Sequence, residues 1–482
     1  MAVKFYKQDQ QVPLEMHKVR IVQKLYLPPI EERIRKMAEA GNNTFLLQNK
    51  DVYMDMLTDS GVNAMSDLQQ SAMFRADDAY AGSETCNRLK EALLDVFGTP
   101  YLLPTHQGRA CENILAEAFV KPGMICPMNY HFTTAKAHIT RMGGEVIELV
   151  IPEGLEPVND VPFKGNFDIP KLKQLIAERK KDIAFVRIET GTNLIGGQPV
   201  SMANMLEVLA ICRKEGIRSV IDASLLQDNL YFIKIREPEY KHAPIRDIMH
   251  KLAEASDIIY FSSRKLGFSR GGAIITMHEN IYKELMEYVP LYEGFLTYGG
   301  MEVRSMEAMA QGLYETLDME IISQGPLFIE ALVRELVDYG VPMVEPAGGL
   351  GAHINATAFL EGRVPKEEFP AGALASALYI ASGIRGMERG SLSEQRNPDG
   401  SEHYAALELL RLAVPRRVFT LSQIKYCADR VKWLYDNRDL IGGLKWVEEP
   451  KVLRFFFGRL APTSDWQIRL MRKFREDFGD SL

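Results

Sequence analysis

Cysteine is scarce and unpatterned in this 482-residue chain. The five present, Cys86, Cys111, Cys126, Cys212 and Cys427, are odd in number and form no C-x-x-C pair. That argues against a disulfide framework or a zinc site of that type and suits a reducing, cytoplasmic compartment. Long apolar runs are also missing: none approaches the roughly 18 residues that cross a bilayer, so no membrane partner is expected. The N-terminus lacks an apolar core, so no secretory signal is expected. There is no basic excess. The formal net charge is −7, whereas a nucleic-acid binder is usually basic, so no nucleic-acid partner is expected. Low-complexity tracts and internal repeats are absent. What remains is ordinary globular composition, 46% hydrophobic and 25% charged, in a chain too long for one small core. A large domain with a smaller one is the expectation.

Residues 1–57 read as an N-terminal arm that packs with the small domain or a neighbouring subunit. Pro28-Pro29 breaks the chain, Glu31 to Ala40 has a helical pattern, and Asn42 to Leu47 reads as a short extended segment. Residues 58–320 alternate between strands and helices. Strands are expected at Tyr101–Leu103, Gly144–Ile151, Ile183–Ile188, Arg218–Asp222 and Ile258–Phe261. Helices are expected at Ala110–Phe119, Pro170–Lys180, Met202–Gly216 and Pro244–Ala255. This rhythm gives a mostly parallel sheet covered by helices. Residues 321–482 read as a smaller α+β domain that starts with a helix at Pro326–Tyr339.

Ligands in such sheets bind at the carboxyl ends of strands, and the polar residues cluster there. Ser262-Ser-Arg-Lys265 follows an apolar strand. A lysine in that place can form a Schiff base while hydroxyls hold a phosphate, although a plain surface turn would read the same way. Asp222 closes the preceding strand. It could pair with a protonated ring nitrogen, or simply cap the next helix. Gln107-Gly108-Arg109 opens a helix, and backbone N–H groups with a close-packing glycine and an arginine suit a phosphate. Asp222 and Lys265 at the ends of successive strands are the layout of fold-type I pyridoxal-phosphate enzymes.

The chain also resembles the aromatic amino-acid β-eliminating lyases, the tyrosine phenol-lyase and tryptophanase family, with the closer likeness on the tyrosine phenol-lyase side. The matching segments run from about residue 20 to 458. They include Asn43-Thr-Phe-Leu-Leu47, Leu57-Thr-Asp-Ser-Gly61, Ala79-Tyr-Ala-Gly-Ser83, Pro104-Thr-His-Gln-Gly-Arg109, Gly196-Gly-Gln-Pro-Val-Ser-Met-Ala-Asn-Met205, Met387-Glu-Arg-Gly390, Pro415-Arg-Arg-Val418 and Glu449-Pro-Lys-Val-Leu-Arg-Phe-Phe456. The resemblance implies a homotetramer that uses pyridoxal 5'-phosphate to split L-tyrosine into phenol, pyruvate and ammonia. Lys265 resembles the lysine that carries the cofactor and moves the Cα proton. Asp222 would pair with the ring nitrogen, Phe132 would stack on the ring and Asn193 would lie near its hydroxyl. Gln107, Gly108, Arg109 and Ser262 resemble the phosphate ligands. Arg411 matches the arginine for the substrate carboxylate, with Thr58 and Ser60 alongside. Tyr80 matches the acid that protonates the leaving ring carbon. Thr133 and Arg389 match the pair around the phenolic oxygen, and Met387, Phe455 and Phe456 match the ring pocket. Core packing is the plain alternative for the two phenylalanines.

Departures from the family pattern gather near Lys265. Asp222-Ala-Ser-Leu225 ends on leucine where the family has arginine. Arg264-Lys265-Leu266 stands for Lys-Lys-Asp, and Leu350 for a histidine. The family's potassium ligands correspond to Asp78, Gly61 and Arg270, which implies no metal, with Arg270 in the cation's place and paired to Asp78. Leu225, Leu266, Arg270 and Leu350 keep a second reading open: the same cofactor on another aromatic or modified amino acid, with β-substitution, decarboxylation or oxidation. A silent homologue kept for binding is the third.

Overall fold

A computed structural model describes residues 2–5, 11–397 and 399–482; residues 1 and 6–10 of the expected arm lie outside the described residues. The chain divides into two compact units. One comprises Ser60–Glu156 and Val161–Ser323; the other comprises Met1–Asp59, Pro157–Asp160 and Gln324–Leu482.

The first unit is built on a seven-stranded sheet. Its strands are β1 (Tyr101–Thr105), β2 (Ile125–Met128), β3 (Glu145–Glu148), β4 (Val186–Glu189), β5 (Ser219–Asp222), β6 (Ile258–Ser262) and β7 (Gly272–Thr276). The order across the sheet is β1-β7-β6-β5-β4-β2-β3. Only β7 runs against its neighbours; the pairs β6/β5, β5/β4, β4/β2 and β2/β3 are parallel. Every residue of β4 and β5 is buried, as expected of parallel strands covered on both faces. β1 extends to Thr105, past the expected end at Leu103. It is an edge strand paired only to β7, so the missing N–H of Pro104 breaks no second ladder. Strand β2 escaped the sequence reading because Ile125 to Met128 is short and contains a proline.

The second unit holds a three-stranded antiparallel sheet of β8 (Gly351–Asn355), β9 (Met387–Arg389) and β10 (Leu409–Ala413), with β10 in the centre. The helix Pro370–Ser382 is buried along its whole length. The helix expected from Pro326 begins earlier, at Met319, with Pro326 inside it. Asn42 to Leu47 is not extended. Thr44–Leu46 forms a 3-10 turn because Asn43 Oδ1 accepts the Phe45 N–H at 3.0 Å. The Asn43 amide then donates to the Phe455 and Gly458 carbonyls at 2.9 and 2.8 Å.

Arg33 holds this unit's N-terminal helix, Ile30–Glu39, to its core. It is fully buried and donates to the carbonyls of Pro28 (3.0 Å), Ile380 (2.7 Å) and Ala381 (3.4 Å). Removing the donor leaves buried carbonyls unsatisfied at about 1–3 kcal/mol each. Arg33→Met is therefore expected to destabilise this unit by about 3 kcal/mol. All three tryptophans, Trp433, Trp446 and Trp466, lie in it, so denaturation followed by tryptophan fluorescence reads the loss there directly.

Candidate active site

The carboxyl ends of the sheet gather most of the residues singled out above. Gln107, Gly108 and Arg109 follow β1, Phe132 and Thr133 follow β2, and Asn193 follows β4. Asp222 ends β5, and Ser262 with Lys265 closes β6. The register explains why three of the buried polar groups meet: Glu189 pairs with Asp222, and Asp222 pairs with Tyr260, in one row across three strands. Arg187, two residues before Glu189, faces the same way.

Arg187 is the hub of this row. Its Nη2 lies 2.5 Å from Asp222 Oδ2, its Nη1 3.1 Å from Glu189 Oε2 and its Nε 2.9 Å from the Tyr260 hydroxyl. The Tyr260 hydroxyl lies 3.0 Å from Asp222 Oδ2 and 3.3 Å from Glu112 Oε1. Thr134 donates to Glu112 Oε2 at 2.5 Å. Burial works against the Arg187 charge, but Tyr260, Asp222 and Glu189 outweigh it and hold the guanidinium well above its ordinary range. Burial pushes Glu112 up to about 7, with Asp222 adding to the shift and Arg187 opposing it. Asp222 does not cap the following helix; its Oδ1 accepts the Ser224 N–H at 2.9 Å.

Around Lys265 the backbone is locked. The N–H groups of Lys265 and Leu266 both donate to the Ser262 carbonyl at 3.0 Å. Ser262 N–H donates to the Ser224 hydroxyl at 3.0 Å, and the fully buried Gln69 donates to the Gly267 carbonyl at 2.9 Å. Lys265 Nζ lies 5.5 Å from the Phe132 ring centroid. The helix Gly108–Phe119 has no side-chain cap and no acidic residue in its first turn, so no side chain of its own competes with an anion at its N-terminus. Gly108 is required there: a Cβ would come within 2.6 Å of Ser262 Cβ and 2.9 Å of its Cα. The Ser263 hydroxyl is buried without a hydrogen-bond partner. A lysine over an aromatic face, an uncapped helix start and an unsatisfied hydroxyl fit pyridoxal phosphate.

Arg264 is half-buried, and burial, then Arg270 and Arg109, lowers its guanidinium. Arg270 is exposed, as is Asp78, and among the described residues the expected ion pair between them is not seen. Among the described residues no group of three or more metal-ligating side chains occurs. Tyr80 is 69% exposed and stacks on Phe295 at 5.1 Å. Thr133 is buried, and its hydroxyl has no hydrogen-bond partner.

The remaining residues lie in the second unit, apart from the half-buried Ser60. His353, Arg411 and Met387 form one row across β8, β10 and β9. Arg389, two residues beyond Met387, shares that face. Arg411 is buried and donates to the Leu57 carbonyl at 2.6 Å and approaches Met387 Sδ at 2.8 Å. Thr58 follows Leu57 and is half-buried. Burial, then the neighbouring Arg389, lowers the Arg411 guanidinium well below its ordinary range. Leu57, Met387 and Phe455 form a buried apolar cluster with Phe45 and Phe456 against it; the Phe455 and Phe456 rings are 4.0 Å apart. His353 was missed from sequence. It is buried, and burial with Arg411 and Arg389 holds it down to about 3, so it is a neutral imidazole.

Sphingomonas wittichii serine palmitoyltransferase superposes with a TM-score of 0.56 at 13% identity, over 86% of this chain and 97% of that one. An SPT variant with PLP gives 0.57 over 86% and 98%. The fold is that of a fold-type I pyridoxal-phosphate enzyme, an α/β unit with a mostly parallel sheet plus a smaller α+β unit. The β-eliminating lyase family model matches residues 55–430. Tyrosine phenol-lyases from Symbiobacterium sp. (strain SC-1) and Pasteurella multocida (strain Pm70) are 43% and 42% identical to the chain. Each match covers 453 residues, 93% of this chain and 99% of the relative. The chain belongs to the β-eliminating lyase family and is a pyridoxal-phosphate-dependent lyase.

Two outcomes test the geometry. Gly108→Ala overpacks the helix start against Ser262, which costs about 1–3 kcal/mol; cofactor retention measured by absorbance after dialysis is expected to weaken by about tenfold. Glu388, buried in β9, is pushed up to about 8 by burial and Glu408. Its folded form keeps a proton that the unfolded chain releases above its ordinary range. Its contribution to stability is thus complete below about pH 4.5 and lost as pH rises toward about 8. Glu388→Gln is expected to flatten that slope in fluorescence-monitored unfolding.

Proposed function

We propose that the chain cleaves L-tyrosine at its Cβ–Cγ bond, giving phenol, pyruvate and ammonia with uptake of one water. The observation that carries this reading is the pair of buried guanidiniums, Arg389 and Arg411, on one sheet face beside an aromatic pocket. A guanidinium fork suits a carboxylate or a phenolic oxygen, and a tyrosine has a carboxylate at one end and a phenolic oxygen at the other. Identity of about two-fifths to tyrosine phenol-lyases over nearly the whole chain supports the same substrate.

Pyridoxal phosphate supplies an electron sink for the pair left when the Cα proton departs. Lys265 holds the cofactor and moves that proton. Gln107, Gly108, Arg109 and Ser262 hold the phosphate, Phe132 covers the ring face, Asn193 serves the ring hydroxyl and Asp222 the ring nitrogen. Arg411 grips the substrate carboxylate through its fork, with Thr58 and Ser60 beside it. Thr133 and Arg389 take the phenolic oxygen, and Met387, Phe455 and Phe456 enclose the ring. Tyr80 delivers a proton to the ring carbon that leaves.

The exposure of the large apolar side chains Phe74 (92%) and Leu291 (72%) supports assembly into a homotetramer; light scattering on the purified protein checks the mass. The buried, unpaired cysteines fit a cytoplasmic enzyme, and no helix among the described residues is long and apolar enough to cross a membrane. The buried leucines Leu225, Leu266 and Leu350 favour one alternative, altered chemistry on another aromatic amino acid.

Purified protein given L-tyrosine is expected to release phenol and pyruvate in equal amounts. Tyrosine consumption with carbon dioxide or hydrogen peroxide and no phenol would support the alternative. Tyr80→Phe is expected to lower phenol release by about 10²–10⁴-fold while exchange of the Cα proton in deuterated water continues. Loss of both together would place Tyr80 elsewhere in the reaction.

A further inference from the structure

The buried row at the carboxyl ends of β4, β5 and β6 holds more charge than binding a ring nitrogen would require. A carboxylate at Asp222 would be enough for that, as the functional reading has it. Here the same carboxylate oxygen, Oδ2, already faces two groups: the Arg187 guanidinium at 2.5 Å and the Tyr260 hydroxyl at 3.0 Å. Oδ1 accepts the Ser224 N–H at 2.9 Å. An ionised carboxylate offers roughly four acceptor sites, so most of this one is committed within the chain. Arg187 in turn divides its charge. Its second nitrogen lies 3.1 Å from Glu189 Oε2, and the other Glu189 oxygen accepts the Asn193 N–H at 3.1 Å. Arg187, Glu189 and Asp222 are each at most 5% exposed, so water screens these interactions little.

We propose that Arg187 is a positioning residue that sets how much negative charge Asp222 presents to the ring nitrogen of pyridoxal phosphate, with Glu189 as its counterweight. The proposal rests on the reading of Asp222 as the partner of that nitrogen. A lone carboxylate holds a proton on the ring nitrogen strongly. A guanidinium bound to the same oxygen draws charge away, so the nitrogen holds its proton less completely and the ring is a weaker electron sink. Glu189 restores part of that charge by occupying the far side of the guanidinium. The balance between Glu189 and Asp222 for one cation thus adjusts the reactivity of a cofactor that neither Arg187 nor Glu189 needs to touch.

The test is the ¹⁵N chemical shift of ring-labelled pyridoxal phosphate in the reconstituted holoenzyme, which reports the proton on that nitrogen directly. Glu189→Gln leaves the whole guanidinium charge to Asp222, and the shift is expected to move toward the unprotonated form. The charge-balanced pair Arg187→Met with Glu189→Gln frees Asp222, and the shift is expected to move toward the protonated form. Tyr260→Phe removes one donor from Oδ2 and is expected to move it the same way by less; it decides the matter alone should the double variant fail to fold. The rate of Cα-proton exchange is expected to follow the same order over about ten- to thousandfold, the span a charge at this distance produces. Asp222→Asn separates the two claims. If it leaves the shift unchanged, the reading of Asp222 fails and the proposal fails with it. If Asp222→Asn moves the shift or abolishes cofactor retention, while the Arg187, Glu189 and Tyr260 variants all leave it at the wild-type value, this proposal alone is overturned.

Discussion

Arg187 carries a charge inside a parallel sheet, where an unpaired guanidinium would be strongly destabilising. Two acidic partners and a phenol have to surround it, and strand register alone brings them there. Glu189, Asp222 and Tyr260 stand side by side on β4, β5 and β6, and Arg187 lies one pleat below. Removing any one of them leaves a buried charge or donor without its partner, which costs several kcal/mol when a buried pair is broken. This constraint fixes the Asp222 carboxylate at the end of β5 before any cofactor arrives.

The rest of the first unit's site is arranged about that fixed point. The Ser262 N–H at the end of β6 donates to the Ser224 hydroxyl and the Ser224 N–H donates to the Asp222 carboxylate, so the turn that carries Lys265 is linked to the carboxylate through Ser224. Close packing of Gly108 on Ser262 brings the start of the next helix to the same edge. In the second unit a different row does the equivalent work: His353, Arg411 and Met387 align across β8, β10 and β9, with Arg389 on the same face. The neutrality of His353 follows first from its burial and then from its two guanidinium neighbours.

Much of this was legible in the sequence. Asp222 and Lys265 near the ends of successive apolar strands, with Gln107-Gly108-Arg109 opening a helix, share the layout of fold-type I pyridoxal-phosphate enzymes, the resemblance to the β-eliminating lyases assigns them to the cofactor, and the alternation of elements gives the parallel sheet. Arg187 and Glu189 carry no local signal because one lies within, and the other directly after, a segment that reads as an ordinary strand, Ile183–Ile188. The available signal was a pair of opposite charges two residues apart in an otherwise apolar strand, Val186-Arg-Ile-Glu189, since such a strand is buried on both faces. His353 was hidden for another reason. Its meaning depends on pairing with Arg411 across a sheet, a contact between distant segments that no local pattern encodes. The expected Arg270–Asp78 pair came from positional correspondence, and correspondence says nothing of where an exposed side chain points. Asn42 to Leu47 failed on local chemistry: an asparagine that accepts its own backbone N–H two residues on makes a turn out of an apolar run.

The central claim is that Lys265, held by this network, carries the cofactor. Borohydride reduction of the holoenzyme followed by peptide mass mapping tests it most directly. One pyridoxyl group per chain is expected, on the peptide containing Lys265. A stable modification on a different lysine, or none after reconstitution with pyridoxal phosphate, would contradict it.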